Sequence, residues 1–196
     1  MKNAERQPEF SEELMRRIGN DPEAFVQLYR RNYDDIFRYC VHRLFERHTA
    51  EDVTAEVFLK AAGHVHRFSG CDENQFRNWL FRIATNEVNN HLRKTNRRQR
   101  LLQRLGQGPD PNGADQEPPD AEQINRVKNA VLRLRPRHQT IITLRFFENL
   151  KPIEIAGVLG CSAATARSHV ARAIAQLRKK LKAAGVKPPA GGEPDE

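Results

Sequence analysis

The chain has 196 residues, with 33 Lys+Arg against 25 Asp+Glu and a formal net charge of +8. That length allows one large domain or two small ones, and the cation excess suits a polyanionic partner. Cys40, Cys71 and Cys161 are odd in number, far apart and without a Cys-x-x-Cys, which argues against a disulfide framework or a structural zinc site and for a reducing cytoplasm.

No apolar run approaches the length of a membrane span, and Met1 to Arg6 lacks the apolar stretch of a signal peptide, so no membrane insertion is expected. Residues 1–20 read as an N-terminal arm. Asp21-Pro22 is an N-cap followed by a first-turn proline. Phe25, Leu28, Tyr33, Ile36, Cys40 and Leu44 then recur at helical spacing. A second helix is expected from Thr49, whose Thr-x-x-Asp52 start resembles a capping box. Val53, Val57, Phe58 and Ala61 form its apolar side, and Asp52, Glu56 and Lys60 share another face.

A third helix is expected from about Gln75 to Lys94, with Phe76, Leu80, Ile83, Val88 and Leu92 inward. Trp79, Asn86, Asn89, Asn90 and His91 lie among these positions, and Arg93, Lys94, Arg97, Arg98 and Arg100 follow. An aromatic ring and amides beside cations suit single-stranded DNA, which is held by stacking and by bonds to exposed base edges. A core tryptophan with surface asparagines is the plainer account of the same residues.

The segment 105–123 holds four Pro, three Gly and five acids (Asp110, Asp115, Glu117, Asp120, Glu122), with no base. It cannot bury enough apolar surface to offset its chain entropy, so a flexible linker is expected over 101–123. The tail 185–196 is expected to be disordered on the same grounds.

Beyond the linker, Arg133 to Lys182 carries eleven cations against Glu148 and Glu154, a footprint for polyphosphate. Pro152 opens a short helix with Ile155, Ala156 and Leu159 inward, Gly160 supplies a left-handed stop, and Ser162 caps a longer helix. There Ala166, Val170, Ala173 and Leu177 form the apolar stripe, while Thr165, Ser168, His169, Arg172 and Gln176 share another face. Small, polar and cationic groups on one helix face fit a DNA major groove. A helical hairpin with a solvated basic face is the bland alternative. Strand-like alternation appears nowhere, so the chain reads as all-α: two small helical domains on an acidic tether.

At these residues the chain resembles bacterial RNA polymerase sigma factors of the extracytoplasmic-function group, over about residues 21–182. The segment AEDVTAEVFLKA (Ala50 to Ala61) looks like the family's acidic helix that binds the clamp coiled coil of the largest subunit of core RNA polymerase. By position, Glu51, Asp52 and Glu56 would be polar contacts and Phe58 the packed one. The segment FRNWLFRIATNEVNNHLRKTNRR (Phe76 to Arg98) resembles the helix that captures flipped bases at the −10 promoter element. The matching positions are Arg77, Trp79, Asn86, Asn90 and Arg93, with Arg97 and Arg98 in the basic end; Asn90 stands where the family usually has an acid.

The segment LKPIEIAGVLGCSAATARSHVARAIAQLR (Leu150 to Arg178) resembles the family's −35-reading helix-turn-helix. Thr165, Arg167, Ser168, His169 and Arg172 would meet DNA, with Ala166 replacing the usual valine and His169 the usual arginine. The resemblance implies region 2 over 21–100, region 4 over 124–184, promoter DNA and core polymerase as partners, a probable anti-sigma factor, and no cofactor. It also implies that the acidic linker threads cationic channels of the polymerase; a passive polar tether is the alternative.

Two other classes are weighed against this one. A polymerase-independent helix-turn-helix regulator leaves the Asp52/Glu56 and Trp79/Asn86/Arg93 helices without a purpose. An enzyme acting on nucleic acid is not expected: His42, His48, His64, His66, His91, His138 and His169 have no carboxylate or cysteine partners at ligand spacing, and no Gly-rich phosphate loop is present. His64-x-His66 is the nearest approach to a metal pair and reads better as a solvent-facing loop.

Overall fold

The computed structural model describes residues 8–104 and 119–186. Asp110, Asp115 and Glu117 of the expected linker, and the tail 187–196, lie outside the described residues. Eight α-helices account for nearly all that is described: α1 (Pro8–Arg17), α2 (Pro22–Leu44), α3 (Arg47–His64), α4 (Glu73–Arg104), α5 (Pro119–Leu132), α6 (Pro136–Ile142), α7 (Pro152–Leu159) and α8 (Ala163–Ala183). A 3₁₀ turn (Val65–Arg67) follows α3, and a π turn (Thr143–Phe147) continues α6. No strand occurs among the described residues, as the sequence pattern predicted.

The expected arm holds α1, whose Leu14 and Met15 are buried, with Ile18 just beyond it. Helix α2 starts as expected: the Glu23 N–H donates to Asp21 Oδ1 at 2.9 Å. Arg17 bonds the same carboxylate and, with that N–H, holds its pKa below the usual range. Helix α3 starts earlier than predicted. Its cap is Glu46, which accepts from the His48 N–H at 2.8 Å and the Thr49 N–H, so Thr49 sits inside the first turn. Helix α4 also exceeds its predicted span at both ends. Asp72 accepts from the Gln75 N–H at 2.7 Å before it, and its last turns take residues 101–104 from the expected linker. Helix α5 takes 119–123 from the other side.

Helices α2, α3 and α4 pack on one another around Leu28, Ile36, Tyr39, Val57, Phe76 and Leu80, all fully buried. Burial of this apolar surface is the main stabilising term. Cys40 lies in the same core, where burial pushes its thiol up to about 11; it is inert packing. Helices α5 to α8 form the second module around Ile141, Leu144, Leu150, Ile155 and Ala173.

The two modules dock. Helix α7 packs against α4, and the π turn against α2, so one apolar cluster runs through both. The α4–α7 approach is close: a Cβ on Gly157 would lie 3.6 Å from Asn78 Nδ2, and one on Gly160 would lie 3.5 Å from the Arg82 guanidinium. Polar groups complete the seam. Glu148, with no exposed side-chain surface, accepts from Arg38 at 2.6 and 3.2 Å, and its other oxygen faces His42 Nδ1 at 3.8 Å. The His42 ring lies against Phe147 at 4.1 Å. Burial alone would lower the Arg38 pKa, but the hydrogen bond and charge of Glu148, with Asp35, outweigh it and raise the value. Arg43, 1% exposed, donates to Gln139 Oε1 at 2.6 Å and Asn89 Oδ1 at 3.2 Å.

Candidate nucleic-acid and partner interfaces

Helix α3 buries Val53, Thr54, Val57, Phe58 and Ala61 and turns Asp52 and Glu56 outward. Neither carboxylate has an ion-pair partner among the described residues, whereas Glu51 accepts from Arg47 at 3.1 Å. Phe58 is 5% exposed and meets Tyr29 edge-on at 4.7 Å. It supports the helix from beneath, and direct contact of its ring with a partner is not open to it. Leu59, on the outer surface, is 76% exposed and is an apolar neighbour of the acidic pair that the sequence reading passed over.

Helix α4 divides its motif residues between two sides. At 100° per residue, Trp79, Arg82, Asn86 and Asn90 fall within about 80° of arc, and Arg77 falls on the opposite side. Arg77 is accordingly committed inward: its Nε donates to Asp35 at 3.0 Å and its guanidinium lies 5.1 Å from the Phe81 ring centre. The expected DNA contact from Arg77 is therefore replaced by an internal ion pair with α2. The Trp79 ring is half-buried, held by Phe68 at 5.3 Å and Phe76 at 5.5 Å. Gly70 makes room for this aromatic group, since a Cβ there would run into the Phe68 ring.

The free side of Trp79 faces a shallow concavity that it lines together with Asn86, Arg82, Lys60, His64 and Arg67. Lys60, His64 and Arg67 come from α3 and the turn after it, so their membership could not be read from the spacing of α4 alone. Lys60 is anchored there by Glu87 at 2.5 Å. Asn90 Oδ1 accepts from Arg93 at 2.8 Å, while Arg97 and Arg98 point into solvent. A ring with one open face, an amide and several cations form a surface able to hold an unpaired base and its phosphate.

The helix-turn-helix follows its predicted punctuation. Gly160 ends α7 with φ +64, and Ser162 Oγ accepts from the Thr165 N–H at 3.1 Å to start α8. Ala166, Val170 and Ala173 are buried. Thr165, Arg167, Ser168 and Arg172 are exposed and His169 half-exposed. Desolvation, then the charges of Arg137 and Arg172, lower the His169 pKa, which favours the neutral ring with its one donor and one acceptor. Among the described residues, no helix is long and apolar enough to cross a membrane, and no cluster of metal-ligating side chains occurs.

Comparison with known proteins agrees with this division. The sigma-70 region 2 family matches residues 28–98, and the sigma-70 region 4 family matches residues 124–177. The chain is 33% identical over 174 residues to the ECF RNA polymerase sigma factor BldN of Streptomyces coelicolor, an alignment covering 86% of this chain and 65% of that protein. It is 30% identical over 196 residues to the RNA polymerase sigma-H factor of Pseudomonas aeruginosa, covering 88% of this chain and 94% of the relative. In fold it is similar to the sigma factor RpoE of Bartonella quintana, solved with the anti-sigma factor NepR, with a TM-score of 0.60 at 23% identity over 82% of this chain and 98% of that one. Both regions, in this order on one chain, make the protein a member of the sigma-70 family, a sigma factor of the extracytoplasmic-function group that directs promoter-specific transcription by RNA polymerase.

Proposed function

We propose that the three outward faces divide the work of initiation. The α3 face, with Asp52 and Glu56 leading and Glu51 beside them, binds the clamp coiled coil of the polymerase's largest subunit. Trp79, Asn86 and Asn90 capture unpaired bases of the −10 element, with Arg93, Arg97 and Arg98 on phosphates. Thr165, Ser168, His169 and Arg172 read the −35 element in the major groove, with Arg167 on the backbone. Region 2 over 21–100 and region 4 over 124–184 are the working units, joined by residues 101–123 as the tether. The site of action is the cytoplasm, where core polymerase is found.

One observation carries this reading: three exposed polar faces of different chemistry, each backed by a buried apolar side, lie within the segments that match the sigma-70 region 2 and region 4 families. A free basic helix-turn-helix binds DNA weakly and with strong salt dependence. Fixing both modules on polymerase combines two weak readings through effective concentration.

The docked modules must separate for this. The two elements lie about 25 base pairs apart by name, about 85 Å of duplex, whereas a folded chain of this size has a radius of gyration of about 16 Å. The seam around Glu148 and Arg43 is the contact that opens. An anti-sigma factor is the partner expected to hold the docked form, as the sigma factor RpoE of Bartonella quintana was solved in complex with the anti-sigma factor NepR.

Charge reversal of Asp52 and Glu56 together (D52K/E56K) tests the polymerase contact. The double variant is expected to lose co-purification with core polymerase while its circular dichroism stays that of the parent. Undiminished co-purification would remove α3 from the polymerase interface.

A further inference from the structure

Helix α4 runs past the part of the chain that the region 2 family describes. The match ends at residue 98 and the helix at Arg104. Over this end Arg93, Arg97, Arg100 and Arg104 line one shallow concavity with Asn96 and Leu101. At 1.5 Å and 100° per residue the four arginines stand within about 60° of arc along about 16 Å, roughly one cation every 5.5 Å. All four are exposed, and among the described residues no carboxylate pairs with any of them. Arg93 alone has bonds, to the Asn89 carbonyl at 3.2 Å and Asn90 Oδ1 at 2.8 Å.

Nothing inside the molecule rewards this arrangement. Arg93 and Arg97, and again Arg100 and Arg104, are like charges one turn apart, which weakens a helix. Leu101, which lies beside the arginines, is 52% exposed, so their side of the helix end rests on no apolar contact through it among the described residues. The row also continues the face that carries Trp79, Asn86 and Asn90, so one side of α4 changes along its length from ring and amides to guanidinium alone.

We infer that Arg93, Arg97, Arg100 and Arg104 form a track for the phosphate backbone of the duplex that adjoins the melted −10 segment. The row has no aromatic group, which an unpaired strand would use for stacking, and no short polar side chain at its far end to read a base edge. Its chemistry is that of a positioning contact: it fixes the axis of the duplex so that the first unpaired bases arrive at Trp79. The inference rests on the sigma-factor reading of α4, and Arg100 and Arg104, beyond the family match, are its own contribution.

The test measures promoter affinity of the reconstituted holoenzyme against salt, for the wild type, for R100Q/R104Q and for the charge-matched R16Q/R30Q at exposed positions of α1 and α2. Removing two phosphate contacts is expected to lower the slope of log affinity against log salt by about 1.8. Between 50 and 200 mM salt the wild type then loses about twelvefold more affinity than R100Q/R104Q, and R16Q/R30Q keeps the wild-type slope. Inserting two alanines after Arg98 turns Arg100 and Arg104 by about 200° at constant charge and is expected to give the same loss. A wild-type slope in R100Q/R104Q or in the insertion variant, or an equal loss in R16Q/R30Q, overturns the track. A wild-type holoenzyme that does not prefer promoter over random DNA overturns the sigma-factor reading instead, and is seen before any variant is made.

Discussion

Helices α4 and α8 each carry a face proposed to meet DNA, yet the two stand differently in the molecule. The α8 face is open along its length: Thr165, Ser168 and Arg172 are exposed, Arg172 has no ion pair among the described residues, and the helix is held by the buried side opposite. The α4 face is open only as a stripe. One flank, at Asn78 and Arg82, is covered by α7, and the opposite side is tied to α2 through Arg77 and Asp35. The same short helix α7 thus serves region 4 as the first helix of its helix-turn-helix and region 2 as a cover. Docking is therefore coupled to what happens at α4 and nearly silent at α8.

The largest effect expected from this contrast falls on melting. Trp79→Ala with Asn86→Ala removes both the stacking ring and the amide from the concavity. Base stacking of about 1–3 kcal/mol translates into a loss of open complex of about fivefold to 150-fold, read by permanganate reactivity of the −10 region. Closed-complex affinity should change little. Trp79→Phe, which keeps the packing against Phe68 and Phe76, should recover most of the signal; unchanged reactivity in the double variant would make Trp79 a packing residue only.

On α8 the contrast sharpens within one helix. Arg172 shares its face with Thr165, Ser168 and His169, and Arg167 lies about 140° around the axis. Arg172→Ala should cost about 1–3 kcal/mol and relax sequence preference at one base pair. Arg167→Ala should weaken binding almost uniformly and lower the salt slope by about one. Binding selections at two salt concentrations separate them, and equal losses on all sequences would reduce the face to an electrostatic grip.

A smaller effect belongs to the seam. Glu148→Gln keeps the shape but removes the charge that Arg38 neutralises. Hydrogen bonds to charged groups contribute about 1.5–3 kcal/mol, and Arg38 is 44% exposed, so solvent screening reduces this to about 1 kcal/mol. The ratio of docked to undocked molecules should fall about fivefold, seen as a longer mean distance between dyes on α4 and α8. A distance distribution identical to that of the parent would mean that the apolar α4–α7 contact alone sets docking.

Much of this was legible from sequence because it depends on local chemistry. Asp21-Pro22, Gly160 and Ser162 mark helix ends by backbone rules, and Val53, Val57, Phe76, Leu80, Ala166 and Val170 declare their sides by period. Three features were hidden for physical reasons. Glu46 caps α3 although Glu is not a favoured cap residue, so cap preference points to Thr49 instead. The last turns of α4 have almost no apolar positions, so periodicity ended the helix at Lys94. The pairs Arg77–Asp35 and Arg38–Glu148 join residues 42 and 110 positions apart, and no local pattern announces them.

The most direct test of the central claim, that promoter reading belongs to the chain and polymerase together, is an affinity measurement on one promoter fragment with and without core RNA polymerase. The account predicts weak, salt-sensitive and sequence-indifferent binding by the chain alone, and tight binding that depends on both the −10 and −35 sequences once core is added. Tight sequence-specific binding by the chain alone, unchanged by core, would contradict it and make the protein a polymerase-independent regulator.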